Sequence, residues 1–69
     1  MSKFVVKEIK HPSGHIDRNH IHSGSVIHFV EDEAEKFKLY VNDKFTGTEF
    51  DKHGKGKFKK LFELKEVDN

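Results

Sequence analysis

Cysteine is absent from this sequence, so neither a disulfide framework nor a thiolate metal site compensates for a small core. That makes a cytoplasmic setting the expectation. Long apolar runs are also missing: nothing approaches the roughly 18 consecutive residues that span a bilayer, and the opening MSKFVVKEIK lacks the apolar segment and cleavage site of a secretory signal. No membrane partner is expected. Alanine occurs once, as Ala34, which leaves little from which to build a long surface helix. Arginine also occurs once, as Arg18, among thirteen basic residues set against twelve acidic ones, for a net charge of +1. Such near-neutrality falls short of the excess usual in nucleic-acid proteins.

What is present points to strands. Six Val, four Ile and seven Phe outnumber three Leu, one Ala and one Met, and branched and aromatic side chains fit a pleated, half-buried surface. With 69 residues, the chain makes a single small β domain, 1–69, because chains this short bury only roughly 60% of the surface their unfolded form exposes.

Along the chain, FVVKEI reads as a first strand that His11-Pro12 interrupts. Residues 11–24 hold Pro12, Gly14, Asn19, Ser23 and Gly24 with only Ile16 and Ile21 apolar, which predicts a long polar loop. SVIHFVE and KFKLYVN alternate as strands around the charged turn Asp32-Glu33-Ala34-Glu35. A four-residue turn sets Glu31 opposite Lys36 and places Val26, His28 and Val30 on the face of Phe37, Leu39 and Val41. A shift of one residue puts Ile27 and Phe29 there instead. Glu31 opposite Glu35 would set like charges together, so the first register is expected, with His28 facing the main core.

Asn42-Asp43 tolerates the positive φ of a type I′ hairpin turn, predicting Tyr40 opposite Phe45 and Lys36 opposite Glu49. In DKHGKGK, Gly54 and Gly56 suggest a further reversal, pairing Phe50 with Phe58, Asp51 with Lys57 and Glu49 with Lys59. The closing KFKKLFELKEV reads as a strand, with a short C-terminal helix as the alternative. The fold class is therefore all-β: a five-stranded antiparallel meander curled into an open barrel of the SH3-like or OB-like kind, or a curved sheet. Its expected centre is Val6, Val26, Val30, Phe37, Leu39, Val41 and Phe58. Both faces of the central hairpin are apolar, so either the sheet closes on itself or a partner chain covers the second face.

Three surfaces are candidates for function. Lys52, Lys55, Lys57, Lys59 and Lys60 fall in a stretch without acids, bordered by Phe50 and interrupted by Phe58. Lysines tracking phosphates beside stacking rings are the raw material of nucleic-acid binding, while lysine also lines edge strands simply to block pairing. Opposing it, Glu31, Asp32, Glu33 and Glu35 make an acidic turn, and paired charges of this kind suit a protein partner or self-association, including a homodimer. In HPSGHIDRNHIH, His20 and His22 project to one side if extended, and His15 or Asp17 could complete a zinc set, although the spacing matches no established motif. No nucleophile elbow or oxyanion-hole glycine run is present. The sequence thus points to a non-enzymatic binding or accessory module acting through protein–protein contacts, with nucleic-acid binding by residues 52–60 as the alternative and a histidine-loop metal site as the second. It implies no cofactor.

Overall fold

A computed structural model describes residues 2–67. Five strands and two short helices follow in the order β1 (Lys3–Ile9), α1 (Gly14–Arg18), β2 (Val26–Glu31), β3 (Phe37–Val41), β4 (Lys44–Phe50), α2 (Lys52–Lys59) and β5 (Phe62–Val67). All strand pairs are antiparallel, in the spatial order β4-β3-β2-β1-β5. The sheet does not close: β4 and β5 are its two edges. Four strands form the expected meander, after which the chain crosses from one edge to the other through α2.

The hairpin turn between β3 and β4 is as the sequence predicts. Asn42 and Asp43 have φ of 51° and 67°, and Tyr40 pairs with Phe45. Asn42 also extends the neighbouring ladder, its Oδ1 accepting from the Val26 N–H at 3.0 Å while its own N–H donates to the Val26 carbonyl. A bulge between Lys38 and Tyr40, accommodated by Gly47 at φ +88°, pairs Glu49 with Lys38 rather than with Lys36.

The β2–β3 register corrects the expected one. Ile27 pairs with Val41, Phe29 with Leu39, and His28 with Tyr40, so Ile27 and Phe29 share the core face and His28 faces away from it. The turn holds five residues, closed by Asp32 Oδ1, which accepts from the Ala34 and Lys36 N–H groups, with Glu35 at φ 61°. Magnitudes explain the outcome. A cross-strand charge pair is worth about 0.2–1 kcal/mol, whereas burying one large aliphatic side chain contributes about 1.5–3 kcal/mol, and Ile27 is fully buried.

The segment after β4 is a helix, not a hairpin, so Phe50, Asp51 and Glu49 do not pair with Phe58, Lys57 and Lys59. Asp51 is its N-cap: Oδ1 accepts from the Gly54 N–H at 2.6 Å, satisfying a donor the first turn otherwise leaves free. Lys57 and Lys59 sit in its last turn, where the helix dipole favours cations. The chain then returns to extended structure, and β5 pairs with β1, Leu64 opposite Val6 and Phe62 opposite Ile9. The strand reading of the C-terminal segment holds for Phe62–Val67, whereas the helix lies upstream and overlaps that segment only at residues 57–59.

The core comprises Val6, Ile16, Ile21, Ile27, Leu39, Phe58 and Phe62. Val6, Leu39 and Phe58 are as expected, while Val26, Val30, Phe37 and Val41 are only half-buried. Ile16 of α1 and Ile21 beyond it pack into this core, so residues 11–24 are a docked segment containing a helical turn rather than a free loop. Asn19 fastens it, with Nδ2 donating to the His15 carbonyl at 2.7 Å and Oδ1 accepting from the Thr48 hydroxyl at 2.9 Å.

Candidate functional site: the open sheet face and the lysine helix

Both helices lie on one side of the sheet, since Ile16 and Phe58 pack with Val6, Ile27 and Leu39, which pleating and register place on a single face. The other face has no covering element among the described residues. It presents Val5, Val26, His28 and Val30 from β1 and β2, and Tyr40 and Phe45 from β3 and β4.

Three of these side chains form a continuous ridge. The His28 and Tyr40 rings stack with centroids 4.9 Å apart, and Tyr40 and Phe45 follow at 5.5 Å. Lys38 Nζ lies 5.6 Å from the Phe45 ring, within range of a cation–π contact. Phe45 is 48% exposed, and among the described residues it is the one large apolar side chain left in solvent.

At the other end of the ridge, Lys3 sits opposite His28 and reaches Asp43 at 2.6 Å, holding the Asp43 carboxyl below its ordinary range chiefly through that hydrogen bond. His28 is only 6% exposed, and its Nδ1 is buried without a hydrogen-bond partner among the described residues. Burial lowers its pKa below 6.5, and the nearby Lys3 adds to the effect against a smaller opposing pull from Asp43.

The five lysines proposed from the sequence divide between two surfaces. Lys55 Nζ lies 3.9 Å from the centroid of Phe37 and Lys59 Nζ 4.2 Å from that of Phe4, so both turn inward over ring faces at the margin of the core. Lys52, Lys57 and Lys60 stay outward, lining a shallow cleft of about 450 Å³ with His53 and Gly56. Phe50 is no free stacking platform. It is half-buried, stacked on Phe58 at 4.8 Å and edge-on to Phe29 at 6.2 Å.

The acidic turn and the lysine segment are not opposite poles. Glu31 and Glu35 share one cleft of about 520 Å³ with Lys52 and His53 at the start of α2.

The histidine set is pulled apart. His15 lies edge-on to Phe50 at 6.3 Å, whereas His20 and His22 line a different cleft beside Asp17. Among the described residues no three His, Asp or Glu side chains come together to hold a metal ion, and none of the described helices is long and apolar enough to cross a membrane. Sequence reading placed His28 on the main-core face; it is buried, but on the opposite face of the sheet, stacked on Tyr40. Its alternation with Ile27 and Phe29 was the available signal.

No family model, curated protein or solved structure matches the chain.

Proposed function

We propose that this protein is a non-catalytic binding module that docks another polypeptide on the open face of its sheet. The observation that supports it is the His28–Tyr40–Phe45 ridge on the face the helices leave bare. Antiparallel sheets often leave one face to solvent, but that face is then normally polar, and here its centre is apolar and aromatic. Aromatic side chains are enriched at the centres of protein interfaces, where their area is large and their conformational cost small.

Size sets the kind of contact. Five strands about 4.8 Å apart and roughly six residues long give a face on the order of 500 Å², below the roughly 800 Å² each partner contributes to a standard interface. The module is suited to reversible association unless the partner also engages an edge strand. β4 offers one, since among the described residues its outer backbone groups pair with no other strand.

The test is Phe45→Glu, which removes the ring and places a carboxylate near Lys38. It is compared with the wild type and with Lys57→Glu on the far side of the molecule. Sedimentation velocity reads self-association, and affinity capture followed by mass identification reads a different partner. The proposal expects one of these associations to be lost in Phe45→Glu and kept in Lys57→Glu. An association that survives Phe45→Glu unchanged refutes it, as does a wild-type protein that is monomeric and captures nothing Phe45-dependent.

A further inference from the structure

Glycine inside a helix costs about 1 kcal/mol relative to alanine, and α2 carries two in eight residues. They are not equivalent. A Cβ at Gly54 would lie 3.1 Å from Asp51 Oδ1 and 3.6 Å from the Phe50 ring, so packing of the N-cap accounts for that glycine. A Cβ at Gly56 would meet nothing within 4 Å, and Gly56 has no positive φ. Neither packing nor backbone conformation requires it.

Gly56 lies at the centre of the outward face of α2. At 100° per residue, Lys52, His53, Gly56, Lys57 and Lys60 occupy one arc opposite the buried Phe58, and together they line the shallow cleft described above. Among the described residues no carboxylate lines that cleft, and Glu31 and Glu35 lie in the neighbouring one that Lys52 and His53 also border. Asp51 is turned back to the Gly54 N–H, which holds its carboxyl ionised below the ordinary range. The result is a patch of bare helix backbone framed by cationic side chains.

We infer that this face binds the sugar–phosphate backbone of a nucleic-acid strand, with Lys52, Lys57 and Lys60 on phosphate oxygens and Gly56 allowing the strand to approach the helix. Residues 52 to 60 span about 12 Å along the axis at 1.5 Å per residue, room for two or three phosphates. Among the described residues the cleft holds no Phe, Tyr or Trp, its one ring being the imidazole of His53, so recognition rests on the phosphates and is independent of sequence. The site lies on the opposite side of the sheet from the docking face and does not depend on it.

The experiment is fluorescence anisotropy with a labelled 20-base-pair duplex of mixed sequence, titrated between 50 and 200 mM salt. Three neutralised phosphates give a salt slope near −2.7, an affinity loss of about 40-fold across that range. Lys57→Ala is expected to reduce the slope by about one. Gly56→Gln keeps every charge, favours the helix and fills the approach. It is expected to weaken binding about fivefold, the scale of one lost hydrogen-bond contact, with an unchanged or higher melting temperature. A second duplex of unrelated sequence is expected to bind within twofold of the first. Absence of binding at 50 mM salt overturns the inference, as does binding that Lys57→Ala and Gly56→Gln both leave unchanged, or a strong preference between the duplexes.

Discussion

Gly56→Ala separates a helix from a hairpin at residues 52–59. In a helix the substitution removes the conformational cost of glycine, and the open space at Gly56 accepts the methyl without displacement. The gain is about 0.8–1 kcal/mol, and in a domain this small each kcal/mol moves the melting temperature by about 4–8 °C. Gly56→Ala is therefore expected to melt about 3–8 °C higher than the wild type, followed by circular dichroism at fixed pH and salt. Gly54→Ala is the internal control. Its methyl would press on Asp51 Oδ1 at 3.1 Å, and that oxygen already holds the Gly54 N–H at 2.6 Å, so repositioning the cap offsets the propensity gain and the shift is smaller or negative. A turn glycine in a hairpin would behave oppositely, because alanine is strained at positive φ. A lower melting temperature for Gly56→Ala, or equal gains at both positions, would refute the helix assignment and the account of its cap.

Three further outcomes follow from the sheet. Ile27→Val is expected to cost about 0.5–1.5 kcal/mol by urea denaturation, whereas Val30→Ala on the open, half-buried side should cost less than a core deletion of the same size; the reverse order would restore the rejected register. Asn42→Val places a branched residue at φ 51° and removes the acceptor for the Val26 N–H, an expected loss of about 1–3 kcal/mol, measured as a lower urea midpoint. For His28 the folded pKa lies below 6.5, so between the two values the unfolded chain binds more protons and stability rises with pH. The contribution is full above 6.5 and is lost as pH falls through that value toward the folded pKa. The urea midpoint of the wild type is expected to decline over that window more steeply than that of His28→Phe, and parallel profiles would remove His28 as the cause.

The legible part of the fold was the part governed by local pattern. Alternation in FVVKEI, SVIHFVE and KFKLYVN marks three strands, and Asn42-Asp43 marks its turn because few residue pairs accept two consecutive positive φ angles. The misreadings arose where a local cue competed with a nonlocal one. At the β2–β3 turn the charges of Glu31, Glu35 and Lys36 favoured a four-residue loop over a shorter one, but the five-residue turn sets Glu31 opposite Phe37, avoids the Glu31–Glu35 apposition and turns Ile27 and Phe29 toward helices that the pattern did not reveal. At α2, two glycines read as a reversal, while the signal for a helix was a single Asp51 positioned to cap Gly54. The lysine cluster was visible in the sequence, but which lysines face outward depends on where Phe4 and Phe37 lie, and that is set by strands far away in the chain.

Placing α2 across one face is also what leaves the other bare, so the two proposed surfaces have one structural origin. A 69-residue chain has only a few core side chains to use, and all seven buried apolar residues lie between the helices and the inner face. On the outer face Val5, Val26, Val30 and Tyr40 are half-buried and Phe45 is exposed, and no helix or further strand among the described residues covers them. Its ridge and the lysine cleft therefore point away from each other across the sheet, and two ligands bound there would not collide. Substitutions well separated and without shared partners act additively, within about 0.3–0.5 kcal/mol. The double variant Phe45→Glu/Lys57→Ala is accordingly expected to lose polypeptide docking as Phe45→Glu does and duplex affinity as Lys57→Ala does, each to the extent of the single variant. Duplex binding that weakens on Phe45→Glu alone would show that the phosphate site needs an associated form of the protein, and that the two surfaces are coupled through assembly rather than independent.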